Sequence, residues 1–397
     1  MNQTEKLGTV PNLLDRLVQL ARHVEEPVPA YSGRGEVALA VLILPLTFFY
    51  KLLDCLYGKN PLPGQSWSYI FLLSVFTALA FSSVFWLATR PGAEWVRKML
   101  GADRRGWLAV IPALYVASFI LIAWGLGLPE FSTHVLPMRS ASPWTGLPYP
   151  LFLFLAALLL GGGFWSGLYC ADKLAAPREQ DLQPRLFGLR DLGCVVLAVL
   201  PFLILQEQLP LLWCFTTPVA VIVMVFASGL GRESFGFSFV PRSWREAGFI
   251  LLLMFSGLAL FLLVSLGAGT ISYTGGLWHS SGVMIFDSLF TWVFIVGVSE
   301  EIIFRCGILT LIGGLLMRRQ RMGWWKQHPR LGAVIITSLL FALAHLFRGA
   351  TLILLALLAS LLYGLAFVAG KSLFGPVLLH GLLNVLVLMN FHLSDFK

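Results

Sequence analysis

Two adjacent glutamates and an arginine interrupt a long apolar stretch in the C-terminal part of the chain. Glu300, Glu301 and Arg305 lie between Val283 and Met317, where the sequence is otherwise strongly hydrophobic. One charge at the centre of a membrane-spanning helix costs about 2.5–3.5 kcal/mol on insertion scales, so ionisable groups there usually mark a functional site. Residues four apart share a helix face, so we expect Glu301 and Arg305 to neutralise each other. Glu300 points about 100° away, and the sequence predicts that its carboxylate is left free.

Two further pairs of side chains follow at helical spacing. Phe341 and His345 are four residues apart, and so are His380 and Asn384. Taken alone, a histidine near the end of a span is often interfacial, and an asparagine can join two helices by a hydrogen bond. Together with Glu300, these residues supply a base and hydrogen-bond donors. Such a set is suited to activating water and stabilising an oxyanion.

The motifs Glu-Glu-x-x-x-Arg, Phe-x-x-x-His and His-x-x-x-Asn, in this order on successive spans, resemble the CPBP family of intramembrane proteases. That family includes CAAX-processing endopeptidases and bacteriocin-processing or self-immunity proteins, and the resemblance covers roughly residues 283–390. It implies a peptidase that depends on a glutamate. Under it, Glu300 and His345 activate a water molecule, while His380 and Asn384 stabilise the oxyanion.

The same resemblance gives the remaining motif residues supporting roles. Glu301 and Arg305 would support the site, and Phe341 would pack beside it. Apart from Ser299 and Cys306, which flank the first motif, no serine or cysteine accompanies the motifs. We therefore expect direct attack by water and no acyl-enzyme intermediate.

Metal use is an alternative that the side chains leave open. Glu300, His345 and His380 are a possible set of zinc ligands with one open coordination position. The chain has no His-Glu-x-x-His motif, however. We predict catalysis without a metal or other cofactor, and keep a zinc-dependent intramembrane protease as the second hypothesis.

Two functions from other classes compete with proteolysis. A non-catalytic membrane regulator or immunity-type protein with the same fold would tolerate Glu300→Gln. A transporter would show charges spread over many spans and an internal repeat. Here the charged motif residues cluster in the last four spans, where Asp287 is the only other acidic residue. For Asp287 we favour a helix-end or interfacial role over proton relay.

The composition is that of a membrane protein. Hydrophobic residues make up 57% of the 397 residues, charged residues only 12%, and the mean hydropathy is +0.81, which lies well outside the range of soluble domains. The net charge of +8 does not indicate nucleic-acid binding, because the basic residues are spread among loops. The five cysteines lack CxxC spacing and are expected to be buried small hydrophobes.

We predict an all-α, polytopic helix bundle with about 10–11 transmembrane helices. The chain divides into an N-terminal tail with a possible interfacial helix (1–35), an N-terminal transmembrane bundle of unassigned role (36–246) and a C-terminal catalytic core (247–397). The expected spans are 37–57, 67–89, 107–128, 151–170, 192–205, 209–230, 247–266, 283–317, 331–347, 351–370 and 373–390.

The distribution of basic residues predicts the orientation. With the N-terminus in the cytoplasm, most of the 28 lysines and arginines fall in the tail and in cytoplasmic loops. On these boundaries, His345 lies near the outer end of its span and His380 just past an inner turn, more than about 10 Å apart in depth. A tilt, a kink at Pro376 or a re-entrant segment at 348–372 would be needed to bring them together.

The expected partners are the lipid bilayer and a membrane-anchored protein or peptide substrate, without nucleic acid. Prenylated CAAX proteins would fit a eukaryotic host, and other membrane-anchored substrates a bacterial one. The arginine-rich chain with its additional N-terminal spans favours a multi-pass protein of a bacterial cytoplasmic membrane.

Overall fold

The computed structural model describes about half of the chain, and this half is a helix bundle. The described residues are 33–57, 67–100, 235–241, 244–267, 269, 271–273, 276, 280, 282–318, 328–346 and 349–393. The helices are α1 (Gly33–Tyr57), α2 (Trp67–Ala88), α3 (Arg90–Leu100), α4 (Trp244–Gly267), α5 (282–318), α6 (Pro329–Leu343), α7 (Ala350–Gly370) and α8 (Phe374–Asn390). The predicted all-α class is confirmed.

Three of the described helices are long and apolar enough to cross a membrane. They are Arg34–Leu56, Ile250–Gly267 and Ala350–Gly370, and the apolar helices Pro329–Leu343 and Phe374–Val387 are shorter. Many of their large hydrophobic side chains face outward, as expected for helices that contact lipid. The predicted spans at 107–128, 151–170, 192–205 and 209–230, and most of the predicted interfacial helix, lie outside the described residues.

Helix α5 is not a regular α-helix throughout. It has α-helical ends, Gly282–Leu289 and Thr310–Arg318, and a central α-helical turn, Val298–Glu301. Two π-helical stretches, Phe290–Gly297 and Ile302–Leu309, flank that turn. Hydrogen bonds from residue i to i+5 widen a helix, and π-helical turns occur frequently at functional sites. The two glutamates therefore lie on a short α-helical turn between two widened segments.

Helix α1 packs against the first half of α5 through one tyrosine. The Tyr50 ring stacks on the Phe290 ring with centroids 4.0 Å apart. Its hydroxyl donates to Oδ1 of Asp287 at 3.1 Å and lies 3.0 Å from Oγ1 of Thr291. A helix far away in the sequence is therefore part of the same packed core as α5.

Contacts between loops show which ends of the helices lie on the same side. Ser238 donates to the Glu36 carboxylate at 2.9 Å, and its carbonyl accepts from the Leu373 N–H at 2.7 Å. The start of α1, residues 235–241 and the turn between α7 and α8 thus meet at one end of the bundle. At the end of α8, a strand Phe391–Leu393 pairs antiparallel with Ile271–Tyr273, just beyond α4. This two-stranded ribbon is the only part of the described fold that the all-α prediction omits.

The predicted span 331–347 is too long. Helix α6 ends at Leu343, and His345 lies in the turn that follows. The 15 residues of α6 rise only about 22 Å at 1.5 Å per residue, less than the roughly 30 Å of a bilayer core. His345 therefore lies at the end of a short helix inside the bundle.

Candidate active site

The most deeply buried charges form an ion pair within α5. Nε of Arg305 donates to Oε2 of Glu301 at 2.8 Å, and both side chains are fully buried. This is the pairing expected from their spacing of four residues. Nη2 of Arg305 also donates to Oγ of Ser360 on α7 at 3.0 Å, so the guanidinium links α5 to α7 as well as balancing the Glu301 charge.

Glu300 is not left free, and that prediction is wrong. His380 on α8 lies between the two consecutive carboxylates: its Nδ1 is 2.9 Å from Oε1 of Glu301, and its Nε2 is 3.7 Å from Oε2 of Glu300. Only 5% of Glu300 and 3% of His380 are exposed. The spacing of residues within α5 describes an isolated regular helix. It carries no information about an imidazole from another helix, which here reaches both carboxylates.

Two glycines allow α5 and α8 to approach closely enough for this contact. A Cβ atom on Gly381 would lie 2.5 Å from Cα of Val293 on α5, which is closer than real Cβ atoms approach. A Cβ on Gly297 would lie 3.4 Å from the carbonyl oxygen of Val377 on α8. Because Gly381 directly follows His380, the close approach of the two backbones brings the imidazole to the glutamates.

Phe341 brings the second histidine to the same cluster. Its ring centroid lies 4.9 Å from that of His345 and 6.0 Å from that of His380. One phenyl ring therefore contacts both imidazoles, so the two histidines meet at one place in the bundle although separate spans carry them. Phe304 packs edge-on against Phe341 with a centroid distance of 4.9 Å and completes the apolar surroundings.

The hydrogen bonds of the two histidines determine which nitrogen carries a proton. Nδ1 of His345 is 2.9 Å from the carbonyl oxygen of Phe341, and Nδ1 of His380 contacts a Glu301 carboxylate oxygen. A carbonyl only accepts hydrogen bonds, and so does an ionised carboxylate, so Nδ1 is the donor in both rings. A neutral His345 ring then has its lone pair on Nε2, which is available for chemistry. At His380, Nε2 faces Glu300 instead, and it is a donor when that ring carries a second proton.

Asn384 lies one helical turn beyond His380 on α8. It is half-buried, whereas the other predicted site residues are buried. The structure brings Glu300, Glu301, Arg305, Phe341 and both histidines into one connected cluster. Asn384 adjoins this cluster through its position on α8.

The described side chains that could bind a metal are not grouped around a single point. Within the described part of the chain, no three side chains of histidine, cysteine, aspartate or glutamate are grouped so that they could hold one ion. Both described cysteines, Cys55 and Cys306, are buried thiols. Cys306 follows Arg305 directly, yet it is not part of such a group.

Comparison with known families supports the motif reading. The family model described as type II CAAX prenyl endopeptidase Rce1-like matches residues 281–386. Over these residues the chain is similar to the Rce1-like family. The match begins just before α5 and ends within α8, so it includes every candidate residue of the site. No curated protein and no solved structure matches the chain.

The Rce1-like segment confirms the resemblance drawn from the three motifs. The matched family is that of CAAX-type prenyl endopeptidases. Together with the apolar helices, it indicates an integral membrane protein. Helix α1, which packs on α5, lies outside the Rce1-like segment.

Two residues of the Rce1-like segment were missed in the sequence. Ser360 accepts a hydrogen bond from Arg305, and the Tyr363 ring stacks on His380 with centroids 4.7 Å apart. Both lie on α7, which the sequence predicts only as an apolar span at 351–370. A serine followed three residues later by a tyrosine and a glycine (Gly364) is a polar face in an otherwise aliphatic helix, and it was the available signal.

Proposed function

We propose that the chain is an intramembrane endopeptidase that hydrolyses a peptide bond of a membrane-associated protein or peptide with water activated by Glu300 and His345. The observation that carries the proposal is the cluster in which two consecutive carboxylates face the two nitrogens of one buried imidazole, His380. Burying several ionisable groups inside a membrane protein is costly, and a cluster of this kind is a strong functional signal.

The first step is attack by water on the scissile carbonyl carbon. A water molecule about 2.8 Å from Oε2 of Glu300 donates a hydrogen bond to that oxygen. Glu300 takes one proton from this water as the new C–O bond forms. The lone pair on Nε2 of His345 makes that ring a second acceptor for the same proton.

The second requirement is a pair of donors for the oxyanion. With His380 protonated, its charge and that of Arg305 balance the charges of Glu300 and Glu301, and Nε2–H is then a donor. The side-chain amide of Asn384, one turn further along α8, supplies the other. Fixed donors in a site that excludes water stabilise a developing oxyanion far better than they would in solution.

The reaction ends with proton return. When the tetrahedral intermediate collapses, the C–N bond breaks and the proton held by Glu300 or His345 passes to the leaving nitrogen. The second proton of the water stays with the products, which are a new carboxylate and a new ammonium group. Glu301 and Arg305 take no proton in this scheme. Their ion pair and the hydrogen bond from Nδ1 of His380 to Glu301 hold the site in place.

A zinc hydrolase is the second candidate, and one observation favours it. Nδ1 of each histidine bonds to an oxygen acceptor, an arrangement that also orients metal-ligating histidines. We place metal-free catalysis first, because the donors are not grouped to share an ion. Elemental analysis of the purified protein and activity after prolonged chelation decide between the two. One zinc per chain, with activity lost on stripping and restored on re-addition, would establish the zinc enzyme.

The function is tested by comparative proteomics of membranes from host cells that carry either the wild-type chain or Glu300→Gln. We expect at least one membrane-associated precursor to accumulate in the variant and to be shortened in the wild type. Tyr50→Phe, which alters only the hydroxyl that bonds Asp287, serves as the matched control and should process the precursor normally.

The same experiment separates the proposal from its non-catalytic alternative. A regulator that acts by binding alone would leave all membrane proteins at full length in both samples, with Glu300→Gln fully functional. The family name points to prenylated CAAX chains as one substrate class. The mapped cleavage site tests that class directly, because it lies next to a prenylated cysteine only if the class is correct.

We also propose that the N-terminus lies in the cytoplasm of a bacterial host. Glu36, residues 235–241 and residues 371–373 meet at one end of the bundle, and all three were assigned to the cytoplasmic side. The ribbon joins two segments assigned to the outer side. A reporter that is active only in the cytoplasm should be silent when fused after Lys397, and a strong signal there would reverse the orientation.

A further inference from the structure

Tyr363 lies behind the catalytic cluster and contacts both His380 and Arg305. Its ring stacks on the His380 imidazole with an angle of 15° between the planes. Cζ of Arg305 lies 5.8 Å from the centre of the same ring and 5.7 Å from that of Phe341. Only 1% of Tyr363 is exposed. It therefore belongs to the wall of the site and does not offer a surface to substrate.

The tyrosine ring limits a motion that the hydrogen bonds leave open. The second side-chain torsion of histidine has a broad energy profile, so the ring plane is easily tilted. The Glu301 contact holds Nδ1, but the separation of 3.7 Å between Nε2 and Glu300 is too long to fix the other side of the ring. A flat aromatic neighbour at this spacing restricts the tilt.

The hydrogen bonds of the Arg305 guanidinium are also incomplete among the described residues. Nη1 of Arg305 is buried and has no hydrogen-bond partner among the described residues. The aromatic rings of Tyr363 and Phe341 both lie within 6 Å of that cation, and their faces offer it negative surface. Close packing holds Tyr363 there, because a Cβ on the adjacent Gly364 would lie 2.7 Å from Cγ1 of Val334 on α6.

We propose that Tyr363 is a positioning residue: its ring fixes the plane of His380 so that Nε2 stays directed at Glu300 while Nδ1 stays bound to Glu301. This inference rests on the proposed peptidase function. The aromatic ring is what matters for stacking, and the hydroxyl is not required. A misplacement of about 1 Å in a catalytic group costs about 10²-fold in rate.

The test uses the purified full-length chain and a peptide that spans the cleavage site mapped by the proteomic comparison. Tyr363→Leu should lower kcat about 10²-fold and leave KM within about threefold, because Tyr363 does not contact substrate. Tyr363→Phe should stay within about threefold of the wild type in kcat. Tyr363→Met, whose flexible side chain fills irregular space, provides a second non-aromatic variant if the leucine variant does not fold.

Phe367→Leu is the matched control. Phe367 is a buried aromatic residue one turn along α7, and it packs against Gly236 away from the site. The Phe367→Leu substitution should reduce thermal stability without changing kcat per folded molecule. If this control loses as much kcat as Tyr363→Leu, or if a folded Tyr363→Met variant keeps full kcat, the positioning role is refuted. Equal losses in Tyr363→Phe and Tyr363→Leu would also refute it.

Glu300→Gln in the same assay separates the two proposals. An inactive Glu300→Gln beside fully active Tyr363→Leu and Tyr363→Met would refute the positioning role alone. A fully active Glu300→Gln would refute the proposed peptidase mechanism itself, whatever the Tyr363 variants do.

Discussion

Helix α5 carries two polar clusters that are built differently. The glutamate cluster consists of Glu300, Glu301, Arg305 and His380, and all four side chains are at least 95% buried. The aspartate cluster consists of Asp287, Tyr50 and Thr291, and its carboxylate is only half-buried. The two clusters are thirteen residues apart along the helix, or about 20 Å.

The partners of the carboxylates explain the difference. In the glutamate cluster the carboxylates meet a guanidinium and an imidazole from another helix. In the aspartate cluster a single carboxylate accepts from a neutral hydroxyl of α1. The first arrangement concentrates groups that can exchange protons. The second joins two helices. Burial alone therefore does not make an intramembrane carboxylate a candidate catalyst, because its partners must also allow it to exchange protons.

The largest effect on stability is expected from Glu301→Gln. This change leaves the Arg305 charge fully buried without its carboxylate, and removing one partner of a buried pair costs about 3–5 kcal/mol. We expect a large fall in protein level and in thermal stability in detergent. The double variant Glu301→Gln with Arg305→Met removes the stranded charge and should recover much of the loss. A stable, well-expressed single variant would show that the pair does not hold the site together.

Asn384→Ala tests the oxyanion donor and should act on catalysis alone. Losing one such donor typically costs about 10²–10³ in kcat, and we expect KM to stay within a few-fold. Steady-state kinetics on the mapped peptide measure both constants. A raised KM with normal kcat would mean that Asn384 binds the substrate and does not stabilise the transition state.

Gly381→Ala tests the close approach of α8 to α5. The new methyl group would overlap Val293, and overpacking of this kind costs about 1–3 kcal/mol. Because His380 is the neighbouring residue, we also expect lower kcat per folded molecule. Gly248→Ala on α4, where nothing lies within 4 Å of the added atom, is the control. Equal behaviour of the two variants would contradict the role assigned to the glycine contact.

The smallest effect is expected in the aspartate cluster. Tyr50→Phe removes the hydroxyl that bonds Asp287 and keeps the stacking on Phe290. The hydroxyl also lies within hydrogen-bond distance of Thr291, and each such hydrogen bond corresponds to about 0.5–1.5 kcal/mol. Thermal unfolding should therefore shift slightly, with kcat unchanged. A large loss of kcat would mean that the aspartate cluster takes part in catalysis and would remove the distinction between the two clusters.

Local patterns were sufficient for part of this architecture. The helices of the C-terminal core and the pairing of Glu301 with Arg305 follow from hydrophobic runs and from a spacing of four residues. The contact of His380 with both glutamates does not follow from these patterns. It depends on the π-helical stretches around Val298–Glu301 and on the glycine contact near Gly381.

Two other features depended on tertiary structure. Tyr363 and Ser360 lie in a helix whose sequence looks lipid-facing, and only the packing of α7 against α5 and α8 gives them partners. The short α6 looked longer because the apolar run continues to Leu346, past the helix end. A hydrophobic run shows which residues avoid water, but it does not show where the chain turns inside a protein interior.

The measurement that tests the central claim most directly is turnover of the mapped peptide by purified wild type and Glu300→Gln. Glutamine keeps the size of the side chain and removes the carboxylate that accepts the proton of water. The account predicts a fall in kcat of about 10²–10⁴-fold, with thermal stability essentially unchanged because Glu301 still pairs with Arg305 and His380. Turnover by a folded Glu300→Gln within tenfold of the wild type would contradict the claim that Glu300 activates the water.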